Sequence, residues 1–345
     1  MKSIRIYVSL QAVALLATVL AGCSGEDAPA TLSDELVPVR VSASLEATVQ
    51  SRAVIPGPLP TDSEIGVFRV VDAKYTEAAT NVKYTLNKGG WTAANPIYVA
   101  GADAQLYACY PYGNAELVDG TPTQAVLRNA ACTQKTDWWY APVADAQKVN
   151  NLSPDINFEF VKPYSQLSLV IYRGARYPMD CKVTQIKIEL SNGGAITDSQ
   201  NFDLAKGTLV ESMKNTRTSY IYPTSGKMHD TGMEVGEEHC DKTCNYLFVP
   251  QTLPAGLKLT FTIDGSDYSV EIPNKDLSEL VRGTRYQVPV EIRDGVEIAV
   301  GQVTIAEWQK IDALPVGVHT LPNEAGIEGG STEDWTEANQ SDNYI

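Results

Sequence analysis

The chain has 345 residues and is acidic, with 27 lysines and arginines against 42 aspartates and glutamates and a formal net charge of −15. This charge argues against nucleic acid or an anionic membrane face as a partner, because no basic patch is present to release counterions. The length is sufficient for two domains that each bury a core.

The N-terminus has the features of an exported lipoprotein. Two basic residues precede a mostly apolar run over residues 6–20, which is too short for a typical membrane span. The sequence Leu20-Ala21-Gly22-Cys23 then resembles the bacterial lipobox, in which the peptide is cut before the cysteine and the cysteine carries a lipid. We predict a signal peptide over residues 1–22 and an outer-membrane anchor at Cys23. The alternative is an ordinary secretory peptide with an unrelated cysteine.

A long alternating stretch follows a polar, acidic segment (residues 23–36) that indicates a flexible tether. Between residues 37 and 50, every second residue is apolar, and the residues between are polar apart from Pro38. Period two predicts a β-strand with one buried face. Its length is about twice that of an ordinary strand, and Pro38, which lacks an N–H, suits a sheet edge.

The long strand ends at Ser51-Arg52-Ala53, before a segment rich in proline and glycine. An arginine in exposed, irregular backbone is a candidate site of proteolysis between Arg52 and Ala53. The alternative is a permanent N-terminal strand in which Arg52 is an ordinary solvated side chain.

The rest of the chain predicts an all-β fold. Short alternating runs separated by turn residues recur up to Trp308, with little helical periodicity. The best hairpin joins residues 257–263 to residues 268–272 through Asp264-Gly265-Ser266-Asp267, in which Asp-Gly is the turn signal. Pairs of short antiparallel strands predict two antiparallel β-sandwich domains.

We place the domain boundary near Lys162-Pro163. The N-terminal domain then covers residues 37–162, with residues 37–52 as its first strand, and the C-terminal domain covers residues 163–310. Within the second domain, residues 193–239 are polar and predict a long surface loop with weak strands at most.

The C-terminal extension (residues 311–345) changes character. Residues 311–321 still alternate, although Pro315 and Gly317 interrupt the pattern. From Asn323 onward the composition is mainly glycine, serine, threonine, asparagine and acidic residues. Such a segment buries too little apolar surface to order itself, so we predict a flexible acidic tail.

Motifs for catalysis are absent from the sequence. It has no nucleophile elbow, phosphate-binding loop, zinc-protease motif or dinucleotide fingerprint, and only three histidines. We therefore expect neither enzymatic activity nor a cofactor. His239-Cys240 and Cys244, with His229 nearby, offer possible zinc ligands, but the second ligand pair of a known finger is missing. A disulfide or free thiols are favoured in an exported protein.

Five cysteines remain once Cys23 is lipidated, so at least one is unpaired. Cys240 with Cys244 and Cys109 with Cys132 are candidate pairs, and spacing does not decide between the connectivities. The five cysteines are Cys109, Cys132, Cys181, Cys240 and Cys244.

The aromatic run Trp138-Trp139-Tyr140 has two interpretations. Aromatic rings stack on sugars, which would indicate a glycan-binding surface. Neighbouring residues of a strand point to opposite faces, however, so at most alternate members share one surface. Packing in the core is therefore the favoured role.

Several segments in their order resemble the fimbrillins that build type V pili of gut and oral anaerobes. The resemblance extends over residues 1–308 and depends on the order of the motifs rather than on any one of them. The segments are residues 20–23, 51–53, 62–68, 91–98, 107–112, 137–141, 158–160, 165–169, 246–251, 282–286 and Trp308.

This resemblance implies a lipoprotein precursor with two β-sandwich domains of transthyretin-like topology. It also implies that an arginine-specific surface protease cuts after Arg52, that the first strand leaves, and that a strand of a neighbouring pilus subunit fills the groove. A homo- or hetero-polymer that supports adhesion or biofilm would result. Residues 311–321 are the candidate donor strand, while a stalk, tip or anchor role stays open.

The alternative function is an uncleaved surface lipoprotein, either a pilus anchor or tip or a glycan-binding protein. The tether, the acidic surface and the aromatic run motivate it. A secreted hydrolase is disfavoured by the missing motifs.

Overall fold

A computed structural model describes residues 35–46, 57–145, 147–173, 182–222, 233–234, 242–293, 297–306 and 308. The regular elements within those ranges are all β-strands, and most pair antiparallel, which confirms the predicted all-β fold. A helix with the length and apolarity needed to cross a membrane is not found among these residues.

The first half of the chain contains thirteen strands. They are β1 (Val37–Pro38), β2 (Arg40–Leu45), β3 (Gly57–Pro58), β4 (Glu64–Arg69), β5 (Ala79–Asn87), β6 (Gly90–Thr92), β7 (Tyr98–Val99), β8 (Leu106–Tyr110), β9 (Leu117–Val118), β10 (Thr121–Arg128), β11 (Ala130–Ala131), β12 (Trp139–Ala141) and β13 (Asp155–Phe160).

The second half contains fourteen more. They are β14 (Ser165–Arg173), β15 (Lys182–Leu190), β16 (Ile196–Asp203), β17 (Thr208–Arg217), β18 (Ser219–Tyr222), β19 (Met233–Glu234), β20 (Lys242–Phe248), β21 (Gln251–Thr252), β22 (Leu257–Ile263), β23 (Ser266–Ile272), β24 (Glu279–Leu280), β25 (Arg285–Ile292), β26 (Ile298–Val300) and β27 (Thr304–Ala306).

The N-terminal core lies between a five-stranded sheet, in the order β12-β8-β4-β5-β6, and a three-stranded sheet, in the order β13-β2-β3. Apolar residues of both sheets form one buried cluster, which we call the N-core. Its central members include Ile65, Val67, Leu106, Phe158 and Phe160. The alternation of β13, whose even-numbered residues are buried, shows how a period-two sequence places one face in this core.

The C-terminal core lies between a six-stranded and a five-stranded sheet. The first has the order β11-β20-β14-β25-β26, with β27 also paired to β25, and the second has the order β18-β15-β22-β23, with β19 paired to β15. Leu167, Leu169, Phe261, Val288 and Val290 are fully buried between them.

A third cluster, which we call the junction cluster, is shared between segments from both halves of the chain. It contains Phe68 and Tyr140 from the first half, and Phe202, Leu247 and Trp308 from the second. Pairing also crosses Lys162-Pro163, because β10 pairs with β16 and β11 pairs with β20. The division into residues 37–162 and 163–310 stays a prediction, and the two halves share two sheets as well as this cluster.

The predicted Asp264-Gly265 hairpin is confirmed. β22 and β23 pair antiparallel from Leu257↔Ile272 to Ile263↔Ser266. Asp264 and Gly265 have φ values of 48° and 85°, the left-handed backbone that a two-residue hairpin turn requires.

The prediction of a long polar loop over residues 193–239 is wrong for the part that the structure describes. β16 lies between β10 and β17, and β18 pairs with β15. β16 buries polar side chains, and their hydrogen bonds replace apolar contacts: Asn215 Nδ2 donates to Ser199 Oγ at 3.1 Å and Gln200 Nε2 donates to the Val210 carbonyl at 3.3 Å. Such a strand has no apolar alternation to recognise.

Candidate functional site: the first-strand groove

β2 lies between β13 and β3. It runs parallel to β13 from Arg40↔Asp155 to Leu45↔Phe160, whereas β3 pairs only with Ser44 and Leu45. Residues 40–43 therefore have β13 as their one ladder neighbour among the described strands. β2 is the central strand of the three-stranded sheet, so the predicted edge position applies only to residues 40–43, which β3 does not reach. We call the slot along β13 that β2 occupies the first-strand groove.

The first strand is not continuous, in contrast to the prediction. β1 pairs antiparallel with β7, and β2 pairs with β13, so the ladder breaks at Val39. The Val39 N–H donates to the Ile97 carbonyl at 2.8 Å, and the Val39 side chain is only 4% exposed. The break arises because the chain changes partner strands there, which the side-chain pattern does not reveal.

The inward face of β2 packs against the N-core but is itself only half-buried. Val41, Ala43 and Leu45 are half-buried and pack against this cluster, while their ladder neighbours on β13 are fully buried. Removing β2 would expose the edge of β13 and the side chains beneath it, a state that soluble proteins avoid. The geometry makes β2 a cover for a core built by other strands.

The outward face of the groove is lined by charged and polar side chains. Arg40 Nη2 donates to Asp155 Oδ2 at 2.7 Å, and both side chains are about two-thirds exposed (66% and 67%). Ser42 Oγ donates to the Ile156 carbonyl at 3.1 Å and lies 3.0 Å from Asn157 Oδ1. The N-terminal end of β2 is thus held by an ion pair and side-chain hydrogen bonds.

At the C-terminal end of β2, two neighbouring carboxylates repel each other. The Glu46 N–H donates to the Phe160 carbonyl at 2.8 Å, which brings its carboxylate beside that of Glu159. Desolvation, and then repulsion by Glu159, raise the pKa of Glu46, while the Arg282 guanidinium acts in the opposite direction. Negative charge at this end is therefore unfavourable.

A buried ion pair fixes the chain just after β13. Lys162 is 1% exposed, and its Nζ donates to Asp137 Oδ1. The same Nζ lies 4.0 Å from the ring centroid of Trp139 and 5.2 Å from that of Trp308. Desolvation lowers the pKa of Lys162, and Asp137 opposes that shift. This role of Lys162 has no signal in the sequence, since a lone lysine before a proline resembles a linker at a domain boundary.

The aromatic run is in the core, as predicted. Trp138 and Tyr140 are 1% exposed and belong to the junction cluster, whereas Trp139 packs on the opposite side against the N-core. Tyr140 stacks edge-on against Phe202. No continuous aromatic platform for a sugar ring results from these three residues.

The remaining predicted site residues lie outside the described ranges. They are Cys23, Arg52, Ala53, the possible donor strand over residues 311–321, Cys181, His229, His239 and Cys240. Lipidation, cleavage and the identity of the donor strand therefore stay predictions.

The candidate bridge between Cys109 and Cys132 is wrong, because both are free thiols. Burial raises the pKa of both, that of Cys132 to about 12. Cys244 lies buried on β20. The described residues contain no group of three or more histidine, cysteine, aspartate or glutamate side chains placed to hold a metal ion.

Comparison with known families identifies the architecture. A family model described as fimbrillin-like matches residues 51–308 of the chain. The chain belongs to the fimbrillin-like family. This membership makes it a pilus-type or adhesin subunit of the cell surface and points to a non-enzymatic role.

Solved structures share the fold of this fimbrillin-like chain. A candidate cell adhesion protein from Bacteroides ovatus ATCC 8483 is 16% identical, with a TM-score of 0.55 over 81% of this chain and 100% of that chain. A candidate cell adhesion protein from Bacteroides uniformis ATCC 8492 is 17% identical, with a TM-score of 0.50 over 79% and 99%. A search of curated proteins finds no significant match.

Proposed function

We propose that the chain is an exported, lipidated pilus subunit whose first strand is removed by proteolysis and replaced by a strand of a neighbouring subunit. In this proposal Cys23 carries the lipid that holds the precursor at the outer membrane. An arginine-specific surface protease cuts between Arg52 and Ala53, and the removal of residues 37–52 then empties the first-strand groove.

The observation that carries this proposal is the position of β2. It lies on the N-core with its apolar face half-buried, and residues 40–43 have only β13 as a ladder neighbour among the strands that the structure describes. A strand added along β13 would restore both the backbone hydrogen bonds and the apolar burial that removal of β2 takes away. Such contacts are head-to-tail and need not close on themselves, so they produce filaments.

The first experiment is to determine the N-terminus and mass of the protein sheared from native cells. The proposal expects an N-terminus at Ala53 in the polymer and a lipidated Cys23 in the precursor. Polymer whose subunits still begin at Cys23 and retain residues 37–49 would contradict removal of the strand.

A conservative variant sharpens this test. Arg52→Lys keeps the positive charge but removes the residue that an arginine-specific protease recognises, so we expect precursor to accumulate and polymer to disappear. Arg40→Lys is the matched control, because it makes the same exchange within the same strand at a position that the proposal does not assign to cleavage. Polymerisation of Arg52→Lys at the level of the native chain would overturn the cleavage step.

The glycan-binding alternative loses its main support from the structure. The aromatic run that motivated it is packed into two clusters on opposite sides of β12.

A further inference from the structure

Two acidic side chains lie along the edge of β13 that faces β2, and β2 places a basic side chain opposite only one of them. The outward-facing residues of β13 are Asp155, Asn157 and Glu159, all exposed. Their register partners on β2 are Arg40, Ser42 and Ser44. The edge therefore presents two carboxylates, and β2 supplies one base against the first of them.

At the other end of β2, the acidic side chain of Glu46 lies near the acidic side chain of Glu159. It follows Ser44 on the same face of the strand, so it is the diagonal neighbour of Glu159, a spacing within the reach of long side chains. Like charges at this separation repel each other, and opposite charges attract. The resident strand is thus attracted to β13 at Arg40 and repelled from it at Glu46, at the end that leads to Arg52.

Arg282 does not cancel the repulsion between Glu46 and Glu159. Its Nη1 donates to the Gly207 carbonyl, and its guanidinium lies 5.7 Å from the ring centroid of Tyr140. The raised pKa of Glu46 agrees with this geometry, since desolvation and Glu159 together outweigh the guanidinium.

We propose that the first-strand groove selects its replacement strand by charge, favouring a strand of a different pilus subunit with basic residues at the positions of Arg40 and Glu46. Residues 311–321 of a second copy contain no lysine or arginine, so they do not meet this requirement. The replacement keeps the ion pair with Asp155 and gains a second one with Glu159. Between the two bases it repeats the apolar positions that Val41, Ala43 and Leu45 fill. This inference rests on the proposed strand exchange and specifies the chemistry of the partner.

The test uses the full chain cut after Arg52 and fluorescent peptides that copy residues 36–50. Incorporation into the cut protein is followed by fluorescence after size exclusion, at neutral pH and low salt. Exposed ion pairs contribute little, so we expect Glu46→Lys in the peptide to bind about two- to fivefold more tightly than the native peptide, with Glu46→Gln between them. Arg40→Glu should bind about two- to fivefold more weakly, and the differences should shrink at high salt.

A charge reversal on the protein is the control. In Glu159→Lys protein the order should invert, with the native peptide binding more tightly than its Glu46→Lys form. Equal binding of the three peptides with Glu46, Gln or Lys, or an unchanged order in Glu159→Lys protein, would overturn the charge selection. Failure of every peptide to enter the cut protein would overturn strand exchange itself, so the two failures are distinguishable.

Discussion

The described strands include two parallel pairs, and the two pairs differ in how far their side chains are buried. β14 pairs in parallel with β25 along eight residues and has β20 on its other side, and the apolar side chains on the core face of this pair, Leu167, Leu169, Val288 and Val290, are fully buried. β2 pairs in parallel with β13 along six residues, but its own apolar side chains are only half-buried. Parallel pairs are ordinarily buried on both faces. The first pair follows that rule, and the second departs from it because β3 does not reach residues 40–43 of β2.

This difference separates two kinds of contribution to stability. β14 belongs to a sheet whose side chains fill a close-packed core, where every lost methyl group leaves a cavity. β2 covers a core that other strands have built, so its removal exposes surface without leaving a hole. Three changes would test the contrast between these regions.

The largest effect is expected at the buried ion pair that holds the end of β13. In Lys162→Met, Asp137 loses its partner in a region closed by Trp139 and Trp308. Breaking a buried pair in this way costs about 3–5 kcal/mol. We expect that loss in the free energy of unfolding, measured by denaturant titration.

The double variant Lys162→Met with Asp137→Asn is the control for this prediction. It removes both charges and should recover much of the lost stability, since no uncompensated buried charge remains. A single variant as stable as the native chain would show that the pair is unimportant.

An intermediate effect distinguishes the two parallel pairs directly. Leu169→Ala on β14 truncates a fully buried side chain and should cost about 2–5 kcal/mol. Leu45→Ala makes the same chemical change on half-buried β2, so we expect less than half of that loss. Denaturant unfolding of both variants measures the difference. Equal costs would mean that β2 is as much a part of the core as β14.

The smallest effect concerns pH at the end of β2. The pKa of Glu46 is raised in the folded chain, so its protonated form favours the docked strand. That contribution is present below the unfolded value near 4.5 and is lost as the pH rises through the raised value. Amide exchange at Glu46 should accelerate, relative to a Glu46→Gln variant, as the pH goes from 4 to 7 after correction for intrinsic rates. A constant ratio between the two proteins would contradict this effect.

The pattern of apolar and polar residues predicts the fold class, but it does not predict which strands pair with each other. The alternation in β13 and in the β22–β23 hairpin is regular because each strand has one buried face, and such strands were located from sequence. The pattern does not identify β16, because its buried positions include Thr197, Ser199 and Gln200. The Thr197 N–H donates to Gln251 Oε1, Asn215 Nδ2 donates to Ser199 Oγ, and Gln200 Nε2 donates to the Val210 carbonyl, so partners on other strands or loops make these polar positions compatible with burial.

The same limit applies to the candidate site. The alternation of apolar and polar residues predicts the strand that covers the groove. Its parallel alignment with β13 has no local signature, because the two strands are more than a hundred residues apart in sequence. Nor does the sequence show that Glu46 is a diagonal neighbour of Glu159, or that Lys162 is buried. These are consequences of register and packing, which arise only once the strands are assembled.

The parallel alignment of β2 with β13 also determines how the groove responds to force. Tension along the strand axis loads all six register pairs together, in shear. Tension applied across the sheet at the Glu46 end separates the pairs one after another, beginning where two carboxylates already repel each other. A strand in this groove therefore resists stretching along its length far better than peeling from that end, and the direction of the pull decides how long it is retained.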